Sequence, residues 1–200
     1  MRKQIKDIRR EELLIAAQAA IGKFGLQSAT IARIADKAGM SQGLVHHYFP
    51  NKSKLIEDTM WYTHLQFRND VAKELKKVSS PEEKLATFIA VWLSEKWYKK
   101  GIGDIWINFM GEVPFNKQLA KIQYKIHLET YDNIVSFLNP ILPSEEVKKV
   151  ADCIVCLMDG LWVRRSFANK SFTRNDALKL MYDYVKKTTS MSIEFPLKGV

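Results

Sequence analysis

Apolar residues recur three and four positions apart along nearly the whole chain, and no stretch alternates with the two-residue period of a strand. The pattern predicts an all-α protein. A first helix is expected from about Ile8 to Phe24, with Leu13, Ala17, Ala20, Ile21 and Phe24 on one face, and Gly25 ends it by accepting the left-handed conformation. Two short helices follow in "TIARIADKAGMSQGLVHHYFPNK". Thr30 caps one to about Ala38, Gly39-Met40 makes the turn, Ser41 caps the next to about Tyr48, and Pro50-Asn51 breaks it. A long helix is expected from Lys52 to Val78, with Leu55, Met60, Leu65 and Leu75 among its apolar positions. In "SSPEEKL", Ser80 as cap, Pro81 at the first helical position and Glu83 three residues after the cap start another, expected to reach Tyr98. Gly101 and Gly103 separate it from the aromatic "DIWINFM" helix. Further helices are expected near 114–138, 144–167 and 173–188, and Ser190 to Val200 reads as a loose tail. No internal repeat or low-complexity segment is recognisable.

Two helices of about eight residues joined by a glycine-containing turn form a helix-turn-helix unit. Ile31, Ile34, Ala35 and Ala38 on the first, with Leu44 and Val45 on the second, are expected to lock the pair onto the preceding helix. Gln42, Gly43, His46, His47 and Tyr48 are then shared between solvent and a partner. A major groove about 12 Å wide admits such a helix, and its N-terminal residues reach base edges. Gly43, lacking a side chain, lets the backbone lie close to DNA. The plainer alternative is a helical hairpin with solvated histidines.

Charge is consistent with the DNA reading. The net charge is +9, and residues 1–54 hold ten Lys and Arg against four acidic residues, so +6 of it lies in that segment. A basic bias of this kind is either a solvated face or a nucleic-acid footprint. At 200 residues and 46% hydrophobic, one or two domains are expected. No apolar run reaches the length of roughly 18 residues that crosses a bilayer, and the charged Met1–Arg10 segment is unlike a signal peptide, so the expected location is the cytoplasm with no membrane partner.

The stretch "ATIARIADKAGMSQGLVHHYFPNKSKLI" resembles the DNA-binding region of the TetR family of repressors over roughly residues 8–60, with the turn "AGMS" and the "YFPNKSKL" behind it as its most specific parts. The resemblance implies a three-helix DNA-binding head, about residues 1–50, and an all-α ligand-binding and dimerisation body, about 51–200. It places Thr30, Tyr48 and Lys52 at phosphate-contacting positions and Ser41, Gln42, Gly43, His46 and His47 on the recognition helix. Many family members carry Tyr at the position of His46, a departure that bears on which sequence is read. The chemistry agrees: Gln42 can both donate and accept at an adenine edge, the histidines can bond guanine or phosphate, and Lys52 opens a helix whose amides also favour an anion. Downstream, "LMDGLWVRRSFANKSFT" at 157–173 and "IWINFM" at 105–110 resemble the BetI type, choline-responsive repressors of glycine betaine synthesis genes. By that resemblance the partners are a palindromic double-stranded operator, a small-molecule effector and a second copy of the chain, paired through the helices near 144–167 and 173–188.

Five tryptophans, ten phenylalanines and seven tyrosines can line an effector cavity. A quaternary ammonium ion needs such a lining, because it offers no hydrogen-bond donor and is held by aromatic faces and a carboxylate. Trp61, Trp92, Trp97, Trp106, Phe109 and Trp162 are available, with Asp104, Glu112 and Asp159 as carboxylates. Any single aromatic at helical spacing is more readily core, and Trp106 and Phe109, which the BetI resemblance also picks out, are the chosen pair, with Asp159 balancing charge. An alternative with the same fold senses lipophilic cations and controls an efflux gene.

Cys153 and Cys156 suggest a helical dithiol redox enzyme as a distant alternative, but their apolar surroundings favour buried small hydrophobes. His64 and His127 stand alone, without ligands at metal spacing. No nucleophile with its base, carboxylate dyad or phosphate loop is recognisable. The chain is expected to be a regulator rather than an enzyme, with no cofactor and no metal.

Overall fold

The computed structural model describes residues 2–98, 101–167 and 171–190. Among these, all regular structure is helical. The helices are α1 (Arg2–Phe24), α2 (Ile31–Ala38), α3 (Gln42–Tyr48), α4 (Lys52–Leu75), α5 (Pro81–Trp92), α6 (Glu95–Tyr98), α7 (Ile102–Glu112), α8 (Lys117–Leu138), α9 (Ser144–Phe167) and α10 (Arg174–Thr189), with a 3-10 turn at Val113–Phe115 before α8. By packing, the chain divides into two compact units, Met1–Gln66 with Lys100–Gln123, and Phe67–Lys99 with Tyr124–Val200.

In the first unit α1, α2 and α3 enclose Leu13, Ala17, Ala20, Ile21, Ala29, Ile34 and Val45, all fully buried, with Leu55 and Met60 of α4. A polar seam fastens α1 to α4. Gln18 donates to Thr63 Oγ1 (2.8 Å) and to Gln66 Oε1 (2.9 Å), Gln66 donates to the Tyr62 hydroxyl (3.1 Å), and that hydroxyl donates to Glu11 (2.6 Å). Burial, and then the neighbouring Glu11, push the Tyr62 phenol up from its ordinary value. The seam is half-buried, with Thr63 inside and Glu11 exposed, and such directional bonds fix a helix pair more specifically than apolar contact alone.

In the second unit α9 buries Val147, Val150, Ala151, Ile154, Val155, Met158, Leu161 and Trp162, a stripe at helical spacing. Phe67 lies edge-on to Phe88 and Trp97, and Trp97 Nε1 donates to Asp70 (2.8 Å). The Tyr98 hydroxyl donates to the Leu161 carbonyl (3.0 Å), and burial pushes its pKa up to about 12.

Several boundaries depart from the sequence pattern. α1 begins six residues before Ile8, because "RKQIKDIRR" contains good helix formers and is tied down by the Arg9–Glu12 and Arg10–Asp58 ion pairs. The helix expected to run unbroken to Tyr98 stops at Trp92. There Ser94 starts α6 by accepting the Trp97 N–H, and Arg174 donates to the Leu93 carbonyl. Pro114 lies in the 3-10 turn, and α8 starts after Asn116, whose side chain accepts from the Gln118 and Leu119 amides. Phe24, expected in the core, is 37% exposed and covered by the Arg33 guanidinium, 4.6 Å from its ring centre. Cys153 and Cys156, expected to be buried, are half-buried and exposed, because they fall outside the buried stripe of α9. The expected tail at 191–200 lies outside the described residues.

Candidate nucleic-acid interface and effector residues

The α2–turn–α3 unit is fixed by local chemistry. Thr30 Oγ1 accepts the Arg33 N–H (3.3 Å) and Ser41 Oγ accepts the Leu44 N–H (3.2 Å), so each short helix has a side-chain cap. Between them Gly39 adopts φ 63°, ψ 33°, and Met40 N–H closes on the Ala35 carbonyl at 2.9 Å. A side chain in that left-handed conformation would be strained, which explains glycine at the turn. Val45 and Phe49 anchor α3 at 0% and 1% exposure, and the Arg10 guanidinium lies 5.2 Å from the Phe49 ring centre.

With Val45 turned inward, Gln42, Gly43, His46 and His47 are exposed and Tyr48 half-exposed, its ring edge-on to His47 at 5.3 Å. Both cap hydroxyls spend an acceptor on the backbone and keep their O–H for a phosphate oxygen. Lys52, at the start of α4, donates from Nζ to the Gln27 carbonyl (2.8 Å) and retains two further N–H donors. Burial holds its ammonium below the ordinary lysine value, with the Glu112 carboxylate opposing that shift. All eight nucleic-acid residues picked from sequence therefore lie in the first unit, on the α2–α3 segment and its flanks. Leu44, expected to pack inward, is 37% exposed beside them, because the single turn of α3 that faces the core is filled by Val45. An exposed leucine on this face can contact a thymine methyl group. Sequence spacing gave no signal to separate Leu44 from Val45.

The effector residues are divided. Trp106 and Phe109 belong to α7 in the first unit, ring centres 6.1 Å apart and edge-on; Phe109 is fully buried and Trp106 half-buried. Asp159 belongs to α9 in the second unit and is exposed at the surface; the protein atoms around its carboxyl raise it above the ordinary value, and His127 opposes the rise. A second aromatic group there, Trp92, Tyr98 and Trp162, has ring centres 5.2 to 6.5 Å apart. The Arg165 guanidinium already stands 5.7 Å from the Tyr98 ring centre, and a second cation at that ring would meet like charge. Among the described residues no group of three or more His, Cys, Asp and Glu could hold a metal ion, and no helix is long and apolar enough to cross a membrane.

Residues 13–59 match the bacterial regulatory proteins of the tetR family, and residues 81–190 match the C-terminal region of BetI-type transcriptional repressors. The chain belongs to the TetR family, with a BetI-type C-terminal region. As a TetR-family protein it is a transcriptional repressor and not an enzyme. It is similar to the HTH-type transcriptional regulator BetI of Serratia proteamaculans, 31% identical over 183 residues that cover 90% of this chain and 92% of the relative. It is also similar to the regulator BetI of Yersinia pestis, 29% identical over 185 residues, 92% of this chain and 93% of the relative. Among solved structures, a transcriptional regulator from Saccharomonospora viridis in complex with choline shares the fold at a TM-score of 0.80 and 17% identity, covering 88% of this chain and 95% of that one. A TetR regulator from Haloarcula marismortui shares it at 0.82 and 17% identity, over 90% and 98%. The TetR-family match runs from Leu13 in α1 to Thr59 in α4 and so spans the capped α2–α3 pair, and the BetI-type match begins at Pro81, the first residue of α5.

Proposed function

We propose that this repressor binds a palindromic operator as a homodimer, with a head of about residues 1–50 on DNA and a body of about 51–200 that dimerises and senses a quaternary ammonium compound of the choline class. The observation that carries the DNA part is the exposed face of α3, with Gln42, His46 and His47 between the cap hydroxyls of Thr30 and Ser41 and the Lys52 ammonium. Gln42 and the histidines read base edges, while Thr30, Ser41, Tyr48 and Lys52 hold phosphates. Gly43 allows close approach.

Dimerisation through α9 and α10 is supported by apolar side chains left exposed on a single chain, Val163 at 37% and Leu180 at 49%. Two copies of α3 then address successive major grooves about 34–36 Å apart. Because the polar seam fastens α4 to α1, a tilt of α4 carries the head with it. An effector releases DNA only by preferring the spread state, and a 100-fold preference supplies about 2.7 kcal/mol.

The choline class is supported by the BetI relatives and by the fold shared with the choline-bound regulator. Trp106 is the aromatic face proposed for the trimethylammonium head, with Phe109 beside it. A cation over an indole face contributes about 2 kcal/mol when desolvated. Trp106→Ala should therefore lose roughly thirtyfold in choline affinity by calorimetry. Operator binding without effector should hold. Wild-type protein that gives no heat with millimolar choline but binds a bulky lipophilic cation would replace this effector by the efflux-type alternative.

A further inference from the structure

The two glycine-ended helices of the head finish differently. At the end of α2, Met40 N–H turns back to the Ala35 carbonyl, so that helix closes on itself. After α1, Gly25 is again left-handed (φ 77°), but the following N–H, that of Leu26, is taken by Asn108 Oδ1 of α7 at 3.1 Å. Asn108 is oriented for this, because its Nδ2 donates to the Asp104 carbonyl (2.7 Å) and so leaves Oδ1 facing the loop. One turn further along α7, Glu112 Oε1 accepts from Gln27 Nε2 at 2.6 Å.

The loop held in this way itself holds DNA-facing groups. The Gln27 carbonyl accepts from Lys52 Nζ (2.8 Å), the Ser28 carbonyl accepts from Arg33 (2.8 Å), and Thr30 caps α2 two residues later. The start of α7 is fixed on α1 by a backbone approach, since a Cβ on Gly22 would stand 2.8 Å from the Gly101 carbonyl oxygen. Every group named lies in the first unit.

We infer that Asn108 is a positioning residue for DNA binding: through the Leu26 amide it sets the Gln27 carbonyl, and the carbonyl sets the Lys52 ammonium. The inference rests on the proposed phosphate contact of Lys52. A lysine already held by one bond, with two donors left, gives up less freedom when it meets a phosphate than one waving in water. The same α7 carries Trp106, so a shift of α7 changes the placement of Lys52 without any contact to DNA.

The test uses the full-length protein and a duplex selected by the wild type from random sequences, with affinity followed by fluorescence anisotropy over a range of salt. Lys52→Ala should lower the slope of log affinity against log salt by about one unit, the value for one phosphate contact. Asn108→Ala should lower it in the same direction and weaken operator binding roughly tenfold, as expected when a contact is left in place but poorly set. Asn108→Asp keeps an acceptor for the Leu26 amide but loses the donor to the Asp104 carbonyl, so it should fall between wild type and Asn108→Ala. In the Lys52→Ala background, Asn108→Ala should add less than about threefold, because the residue through which it acts is gone. A wild-type salt slope for Asn108→Ala, or losses that multiply in the double variant, overturns the inference while leaving Lys52 a DNA contact. An unchanged slope for Lys52→Ala removes the contact itself and the inference with it. Should Asn108→Ala not fold, Asn108→Ser, whose shorter side chain withdraws the acceptor from the Leu26 amide, should lower the slope in the same direction, and a wild-type slope there overturns the inference.

Discussion

Replacing Gly22 by alanine tests the close approach of α7 to α1. An added Cβ would lie 2.8 Å from the Gly101 carbonyl oxygen, 3.4 Å from its carbon and 3.5 Å from its Cα. Comfortable C···O contacts begin at about 3.3 Å, so the helices must part by about 0.5 Å. All three obstacles are backbone, and no flexible side chain can swing away. Overpacking of this kind costs about 1–3 kcal/mol, whereas glycine to alanine inside a helix gains about 0.8–1.0 kcal/mol. Gly111, in the last turn of α7, has nothing within 4 Å of a built Cβ, so Gly111→Ala takes the gain without the clash. The propensity gain cancels between the two variants. Gly22→Ala should therefore be less stable than Gly111→Ala by about 1–3 kcal/mol, or about 2–12 °C in Tm for a chain of this size. Guanidinium unfolding followed by circular dichroism, at one protein concentration because the proposed dimer would add to stability, measures the difference. Equal stability, or a more stable Gly22→Ala, would refute the argument that backbone contact fixes α7 on α1.

Gly43→Ala meets only Ser41 Oγ at 4.0 Å, so its melting should match or exceed wild type while operator affinity falls, if backbone approach to DNA is the reason for glycine there. His47→Ala should cost about 1–3 kcal/mol on the selected operator and little on random DNA; equal losses on both would make it a phosphate contact. Val163→Glu should yield monomers or aggregates in sedimentation, since an unpaired carboxylate would be buried twice across a two-fold interface, and an intact dimer would remove Val163 from it. Glu83 accepts from the Ser80 and Ser79 amides before α5, and Asp176 accepts from the Thr173 hydroxyl and amide before α10, and these bonds hold both carboxyls below their ordinary values. Their stabilisation is therefore complete above the ordinary carboxylate range and is lost as pH falls through the lowered values. Glu83→Gln should flatten the acid-side fall in Tm, and an unchanged profile would remove Glu83 from its cause.

The α2–α3 unit was legible in the sequence because its signals are local. Thr30, Gly39, Ser41 and the 3.6-residue spacing of Ile34, Ala35 and Val45 act within a few residues, and caps and glycine conformations need no distant partner. The exposure of His46 and His47 followed from the same periodicity. What tertiary structure decided was every feature whose partner lies far along the chain. Leu44 and Val45 are adjacent and both apolar, and only the packing of the first unit chose Val45 for the core. The break at Leu93–Ser94 depends on Arg174, and the outward position of Cys153 and Cys156 depends on which face of α9 the second unit covers. Asn108 looked like an ordinary polar residue in an aromatic helix, yet it takes an amide 82 positions away. Sequence periodicity states which faces of a helix are alike; which of them meets a neighbour is fixed by the arrangement of all the helices at once.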